Sequence, residues 1–219
     1  MIDYNNLFPD NRASGDTVLR QAQLVMLRMF KIIDHICRQH GLHYWMCSGT
    51  LLGAVRHNGF IPWDDDLDIC MIREDYERFL EIAKKELPDD LFLQTRENDP
   101  NYDYLPLPCK IRDKKSLIIS NGIEKKHYNM GIFIDIFPAD RYHSDPYQFK
   151  KEKCKKNYFF YLCKALDAEL DKQHSVKKRI VSYFKPLFSL LAKHYLEMAK
   201  GYIDKNRSLD NHCYIGHGF

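Results

Sequence analysis

The sequence has seven cysteines but no Cys-x-x-Cys pair. An odd, scattered set (Cys37, Cys47, Cys70, Cys109, Cys154, Cys163, Cys213) excludes a disulfide framework and fits reduced thiols. The opening MIDYNNLFPDNR has no basic leader and no apolar segment behind it, so no secretory signal is expected. No run reaches about 18 apolar residues, so no membrane-spanning helix is expected. A cytoplasmic chain follows from these absences. There is no Gly-x-Ser-x-Gly elbow for a serine-hydrolase triad, and no EF-hand spacing for a calcium loop. Internal repeats and low-complexity tracts are missing too. The basic residues come with neither an aromatic–basic strand motif nor a helix-turn-helix signal, so nucleic acid is not an expected partner.

What is there describes an ordinary globular chain. It has 219 residues, 45% hydrophobic and 13% aromatic, enough for one substantial core or one core with an appended subdomain. The net charge of +3 conceals an asymmetry. Residues 1–144 carry 18 basic and 22 acidic side chains, whereas 145–205 carry 14 and 7. The texture changes with the charge, near ADRYHSDP. A core over 1–144 and a basic helical region over 145–219 are therefore expected.

Periodicity assigns the elements. A helix capped by Ser14 or Asp16 runs to about Gln39, with Val18, Ala22, Val25, Met29 and Ile36 at helical spacing and Gly41 as its stop. Leu42–Cys47 reads as a buried strand, Thr50–His57 as a short helical turn and Asn58-Gly59 as a turn. Leu67–Ile72 alternates as a strand, Glu74–Leu87 is a helix, and Leu91–Thr95 is a strand. Leu107–Arg112 and Leu117–Ser120 form a pair of strands joined by Asp113-Lys114-Lys115. The apolar run Gly131–Phe137 is a strand closed by Pro138. Helices follow over about 145–172, 176–184 and 187–205.

The segment SGTLLGAVRHNGFIPWDDDLDI, Ser48 to Ile69, concentrates the chemistry. It puts four aspartates within five positions. Alternation along a strand projects Asp66 and Asp68 together while Leu67 and Ile69 turn to the core. Two adjacent carboxylates repel unless a cation lies between them, and a hard divalent ion such as Mg²⁺ or Mn²⁺ suits oxygen ligands. Asp135, flanked by Ile134 and Ile136, is costly to bury unless paired or metal-bound. If its strand neighbours that of Asp68, three carboxylates converge. Upstream, Ser48, Gly49 and Thr50 lie between a buried strand and a helical turn, where backbone N–H groups can cradle phosphate. A solvated acidic loop and a plain Ser-Gly turn are the ordinary readings of these pieces taken singly. Their co-occurrence favours metal-dependent phosphoryl or nucleotidyl transfer. Arg56 and His57 are phosphate contacts or a surface turn. Lys110 and Arg112 share one face of their strand, for phosphate or for an ion pair. Trp63 is read as a packing residue fixing the loop, with a stacking platform as the alternative. Zinc at Cys37, His40 and His43, or at His212, Cys213 and His217, is disfavoured by spacing. The stretch beginning at Arg179 reads as a packed helix or as an interfacial one meeting anionic lipid.

The motif GTLLGAVRHNGFIPWDDDLDICM, with REDYERF and GIFIDIFPAD after it, closely resembles the LicD family of phosphocholine transferases, relatives of the fukutin-type proteins. The resemblance covers about residues 18–140. It implies an α+β nucleotidyltransferase-like fold, a mixed sheet flanked by helices, with the helical C-terminal region beyond. It implies transfer of a phospho-alcohol from a CDP-activated donor such as CDP-choline to a sugar hydroxyl of a glycan or its precursor; a lipid-linked acceptor would bring the chain to the inner face of a membrane. By the same resemblance Asp66 and Asp68 are the metal pair, Asp135 is the third carboxylate, and Ser48, Gly49 and Thr50 hold the donor phosphate. Transfer of a nucleotide or sugar phosphate by the same fold, and a non-catalytic glycan- or cation-binding relative, remain as alternatives.

Overall fold

One apolar stripe of a long helix organises the core. In the computed structural model α2 (Val18–His40) buries Val25, Met26, Met29, Ile32, Ile33, Ile36 and Cys37. The structure describes residues 2–95, 97–99, 109–119, 130–167, 185–209 and 214–215. The cap of α2 is Thr17, whose hydroxyl accepts the Arg20 N–H at 3.1 Å. Ser14, offered by the sequence, belongs to the preceding 3-10 turn, Arg12–Ser14. Gly41 ends α2 in the left-handed conformation, φ 61°. Before it, α1 (Tyr4–Leu7) is tied down by buried Arg28. That guanidinium donates to the Phe8 carbonyl and the Asn5 amide and pairs with Asp90 at 3.1 Å.

The sheet contains β1 (Tyr44–Met46), β2 (Asp68–Ile72), β3 (Leu91–Gln94), β4 (Cys109–Asp113) and β5 (Phe133–Arg141), in the order β1-β2-β5-β4-β3. β2 and β5 run parallel and the other pairs antiparallel, so the sheet is mixed. The helices α3 (Ser48–His57) and α4 (Arg73–Glu86) flank β2 in sequence. Tyr76, Phe79 and Ala83 of α4 join α2 over Ile69, Met71, Ile111, Ile134 and Ile136. That leaves the other sheet face for polar chemistry. The fold is α+β with a mixed sheet flanked by helices, as expected.

Two expectations fail. Leu117–Ile119 lie outside any strand, and Leu117 and Ile119 are exposed. Their apolar character suggests a strand, but among the described residues they pair only through the Ile118 N–H to Met130 carbonyl bond. Pro138 does not close β5, which continues to Arg141. The Asp135 N–H points to β2, since it donates to the Leu67 carbonyl. By alternation the nitrogen of Pro138 faces the β4 side, where the described β4 has already stopped at Cys109.

Beyond β5 the chain is helical: α5 (Pro146–Asp167) and α6 (Lys185–Asn206) pack on one another. The expected helix over 176–184 lies outside the described residues. Asn206 docks the pair by donating to the Arg141 carbonyl at 3.1 Å and to buried Glu152 at 3.0 Å. A two-residue strand, β6 (Tyr214–Ile215), pairs with Asp140 and Arg141. Asp140, 2% exposed, is gripped by Arg73 through bonds of 2.7 and 3.0 Å.

Candidate active site

Register brings the separate carboxylates together. Across β2 and β5, Asp68 is opposite Asp135; across β5 and β4, Asp135 is opposite Lys110. Residues opposed in a ladder share a face. Asp68, Asp135 and Lys110 therefore form one row over three central strands, away from α2 and α4. β2 starts at Asp68, one residue later than expected, yet Leu67 stays in line because its carbonyl accepts the Asp135 N–H at 3.0 Å. Leu67 and Ile69 are buried, so Asp66 turns to the side of Asp68.

The cluster is electrostatically tense. Burial, with Asp64, Asp65 and Asp135 adding repulsion, raises the pKa of Asp66. Burial together with Asp66 and Asp135 pushes Asp68 up to about 6, against the pull of Lys110 and of the Ser48 hydroxyl donating to it. Lys110 forms an ion pair with Asp135 and lies 3.5 Å from the Phe133 ring centroid. Arg112 shares that ring at 4.7 Å, so the two cations do line one face as their alternation predicted. Burial lowers the Lys110 pKa, with Asp135 opposing.

Asp64 belongs to the same cluster, a placement that the sequence left open. Its carboxylate makes hydrogen-bonding contact with Asp66, and a Cβ on Gly49 would lie 2.9 Å from Asp64 Oδ2. The i, i+2 spacing of Asp64, Asp66 and Asp68 is the signal that could have found it. Gly53 has a similar reason: a Cβ there would meet the Gly59 carbonyl oxygen at 2.6 Å, so the returning loop crosses α3 where no side chain fits.

Ser48 and Gly49 are not a loop before a helix; they open α3 itself. The first-turn N–H groups of Ser48, Gly49 and Thr50 have no intrahelical acceptors, which suits an anion. Ser48 holds φ at 51°, a strained value for a residue with a side chain, while its hydroxyl reaches Asp68. Thr50 does something the sequence did not reveal. Its hydroxyl accepts the Asp68 N–H at 2.8 Å, and the Cys47 N–H donates to the Asp68 carbonyl at 3.2 Å. Both backbone groups of Asp68 are thus fixed to the β1–α3 junction. Thr50→Val is expected to leave the buried Asp68 N–H unsatisfied, costing about 1–3 kcal/mol in denaturant unfolding, with Thr50→Ser near wild type. Equal stability of the Val and Ser variants would show that the bond does not matter.

Other candidates lie apart. Arg56 is exposed in the last turn of α3, about 12 Å of helix from Ser48. Trp63 is not a packing residue: it is 76% exposed, with the His57 ring edge-on at 6.3 Å. His40 pairs with Glu86 and His43 with Asp75, while His212, Cys213 and His217 lie outside the described residues. Cys47 and Cys70 contact each other beside Asp68, and that bond, with burial, holds the Cys47 thiol far above its ordinary value.

Among the described residues no three His, Cys, Asp or Glu side chains already enclose one point. Asp66 and Asp68 nevertheless fit a hard divalent ion, because Mg²⁺ typically takes one or two carboxylates and completes its shell with water and substrate phosphate. Their raised pKa values fit too, since mutual repulsion is what a cation relieves.

Residues 41–166 match the model of the family described as LicD/FKTN/FKRP, nucleotidyltransferase domain. The chain is similar to the lipopolysaccharide cholinephosphotransferase LicD of Haemophilus influenzae, 33% identical over 181 residues. That match takes in 80% of this chain and 65% of the relative. An uncharacterized protein of Rickettsia prowazekii is 35% identical over 122 residues, 47% of this chain and 42% of its own. A 35-residue stretch is 51% identical to the ribitol 5-phosphate transferase FKRP of human and mouse, covering 16% of this chain and 7% of theirs. With the family model covering more than half of its length, the chain belongs to the LicD/FKTN/FKRP nucleotidyltransferase-domain family.

Proposed function

We propose that the protein transfers a phospho-alcohol group, phosphocholine in the first instance, from a CDP-activated donor to a sugar hydroxyl of a glycan or glycan precursor. The observation that carries this reading is the row of Asp68, Asp135 and Lys110, with Asp66 beside it, next to the open first turn of α3. One side offers backbone N–H groups to phosphate oxygens; the other offers carboxylates. The similarity to a cholinephosphotransferase supports the chemistry.

In this reading Asp66 and Asp68 hold Mg²⁺ or Mn²⁺, which when bound offsets charge on the diphosphate and the departing nucleotide. Ser48, Gly49 and Thr50 present their N–H groups to the donor phosphates. The acceptor oxygen forms a bond to the phosphorus bearing the alcohol, the bond from that phosphorus to the bridging oxygen breaks, and CMP leaves. Asp135 takes the hydroxyl proton or serves as a further metal ligand, and Lys110 orients Asp135 and steadies the phosphoryl oxygens. The short match to a ribitol 5-phosphate transferase favours one second reading, a different alcohol on the same scaffold.

Incubating the chain with Mg²⁺, a sugar acceptor, and CDP-choline or CDP-ribitol labelled in either half tests this. The alcohol phosphate should reach the acceptor as CMP is released. Labelled nucleotide on the acceptor would replace the proposal with nucleotidyl transfer, and no release with any donor would favour a non-catalytic role.

A further inference from the structure

We propose that the pocket between α2 and α3 binds a compact apolar molecule with one anionic end, of the class of medium-chain carboxylates, and that this occupant steadies the backbones of Asp68 and Asp135. Helix α3 buries only Gly53. Its side toward α2 carries the small residues Thr50 and Ala54, four apart and so on one face. They stand across from Leu27 and Phe30 of α2 and do not fill the space between the helices. Met46, Phe60 and Leu67 complete the wall of a pocket of about 230 Å³. An apolar cavity of about 150 Å³ takes up benzene, so this one has room for a body of roughly eight carbons.

The wall selects the end group. Among the described residues it holds one charged side chain, Arg20, and no carboxylate. Arg20 is exposed at the opening, beside Asn58. It donates to the neutral Gln23 amide oxygen at 3.2 Å and forms no ion pair, with Asp16 or any other acid, among the described residues. An anion at the opening gains a charge-assisted bond there, whereas a cation would meet Arg20. The carboxylate row lies elsewhere. Met46 is opposed to Ile69, whose side chain faces the core, so the pocket is on the sheet face away from Asp68. Asp64 turns its carboxylate to Gly49 and Asp66. Two wall residues nevertheless reach the row through the backbone. The Thr50 hydroxyl accepts the Asp68 N–H at 2.8 Å, and the Leu67 carbonyl accepts the Asp135 N–H at 3.0 Å. A body packed against both side chains stops α3 from sinking into the void and so holds those two bonds.

The inference does not rest on the transferase reading, because binding is measured without a sugar acceptor and without turnover. Titration calorimetry with octanoate tests it, with octanol and octylammonium as comparisons. Octanoate should bind one to a chain, with a negative heat-capacity change, and should raise Tm. Arg20→Ala should weaken octanoate about tenfold and leave octanol unchanged. Lys31→Ala, which removes an exposed cation farther along α2, should bind as the wild type does. Ala54→Phe, which fills the pocket, should abolish binding of both molecules. Should that variant misfold by circular dichroism, the Arg20→Ala comparison still decides. The amide protons of Asp68 and Asp135 should exchange more slowly when octanoate is present. No binding of octanoate would overturn the proposal, as would equally tight binding of octylammonium or an Arg20→Ala variant that binds unchanged. Binding with no slowing at either amide would overturn the coupling to the carboxylates. Displacement of octanoate by CMP would overturn the assignment in favour of a donor subsite.

Discussion

Asp68→Asn is expected to abolish transfer and yet to stabilise the fold in metal-free buffer above pH 6. The loss of activity should be about 10³-fold or more, because the amide removes one of the two carboxylates placed to hold the cation. The gain in stability follows from the same crowding. Asp68 is 9% exposed, and burial with Asp66 and Asp135 pushes its pKa up to about 6. The unfolded chain ionises Asp at about 3.9. A carboxyl whose folded pKa is raised contributes stability that is complete below about pH 4 and lost as pH rises through about 6. At pH 7.5 the wild type therefore carries a penalty on the order of 2 kcal/mol, equivalent to about 5 °C in Tm for a chain of this size. Asparagine does not titrate, keeps the shape and still receives the Ser48 hydroxyl. Thermal melts in EDTA from pH 4 to 8 should show the variant and the wild type converging in acid and diverging above pH 6. Mg²⁺ with a donor nucleotide should then raise the wild type alone. A variant that melts lower than wild type at pH 7.5, or retains turnover, would refute the assignment.

The same cluster shows what a sequence exposes and what it hides. Asp66 and Asp68 were legible because a two-residue period forces them to one side, and Asp135 because an aspartate between isoleucines needs a partner. Their convergence was conditional on β2 and β5 being neighbours, a long-range pairing that no local pattern states. Asp64 was hidden for a related reason: its contact depends on the loop crossing α3 at Gly53 and returning to Gly49. Local sequence points to the backbone N–H of Thr50 alone; the bond between its hydroxyl and the Asp68 N–H joins distant segments and stays hidden. Local rules misled where exposure decides the outcome. Leu117 and Ile119 have strand-forming composition yet stay exposed outside the sheet, and Trp63 stands in solvent rather than packing its loop. The long helices are legible because α2 and α4 carry unbroken apolar stripes, and only their ends differ from the sequence pattern, by a few residues.

Lys110→Met is expected to lower transfer by about 10²–10³-fold and to destabilise the protein by about 3 kcal/mol at neutral pH. Lys110 and Asp135 form a pair with side chains only 13% and 14% exposed, packed against Phe133. Removing the ammonium leaves the Asp135 carboxylate in a row with Asp68 and next to Asp66, with its nearest cation gone. If compensation within this row is the role of Lys110, neutralising its partner should repair the fold but not the chemistry. Lys110→Met/Asp135→Asn should then be more stable than Lys110→Met alone, with a coupling of about 1–3 kcal/mol in the double-mutant cycle, and should remain inactive. Lys110→Arg keeps the charge, but a planar fork does not replace a compact ammonium packed on a ring face, so partial stability with poor turnover is expected. Were Lys110 only a donor-phosphate contact, Lys110→Met would raise KM, leave the melt unchanged and show no coupling to Asp135. The cycle thus separates a lysine that makes a crowded carboxylate row tolerable from one that merely touches substrate, and the ion pair in the row argues for the first.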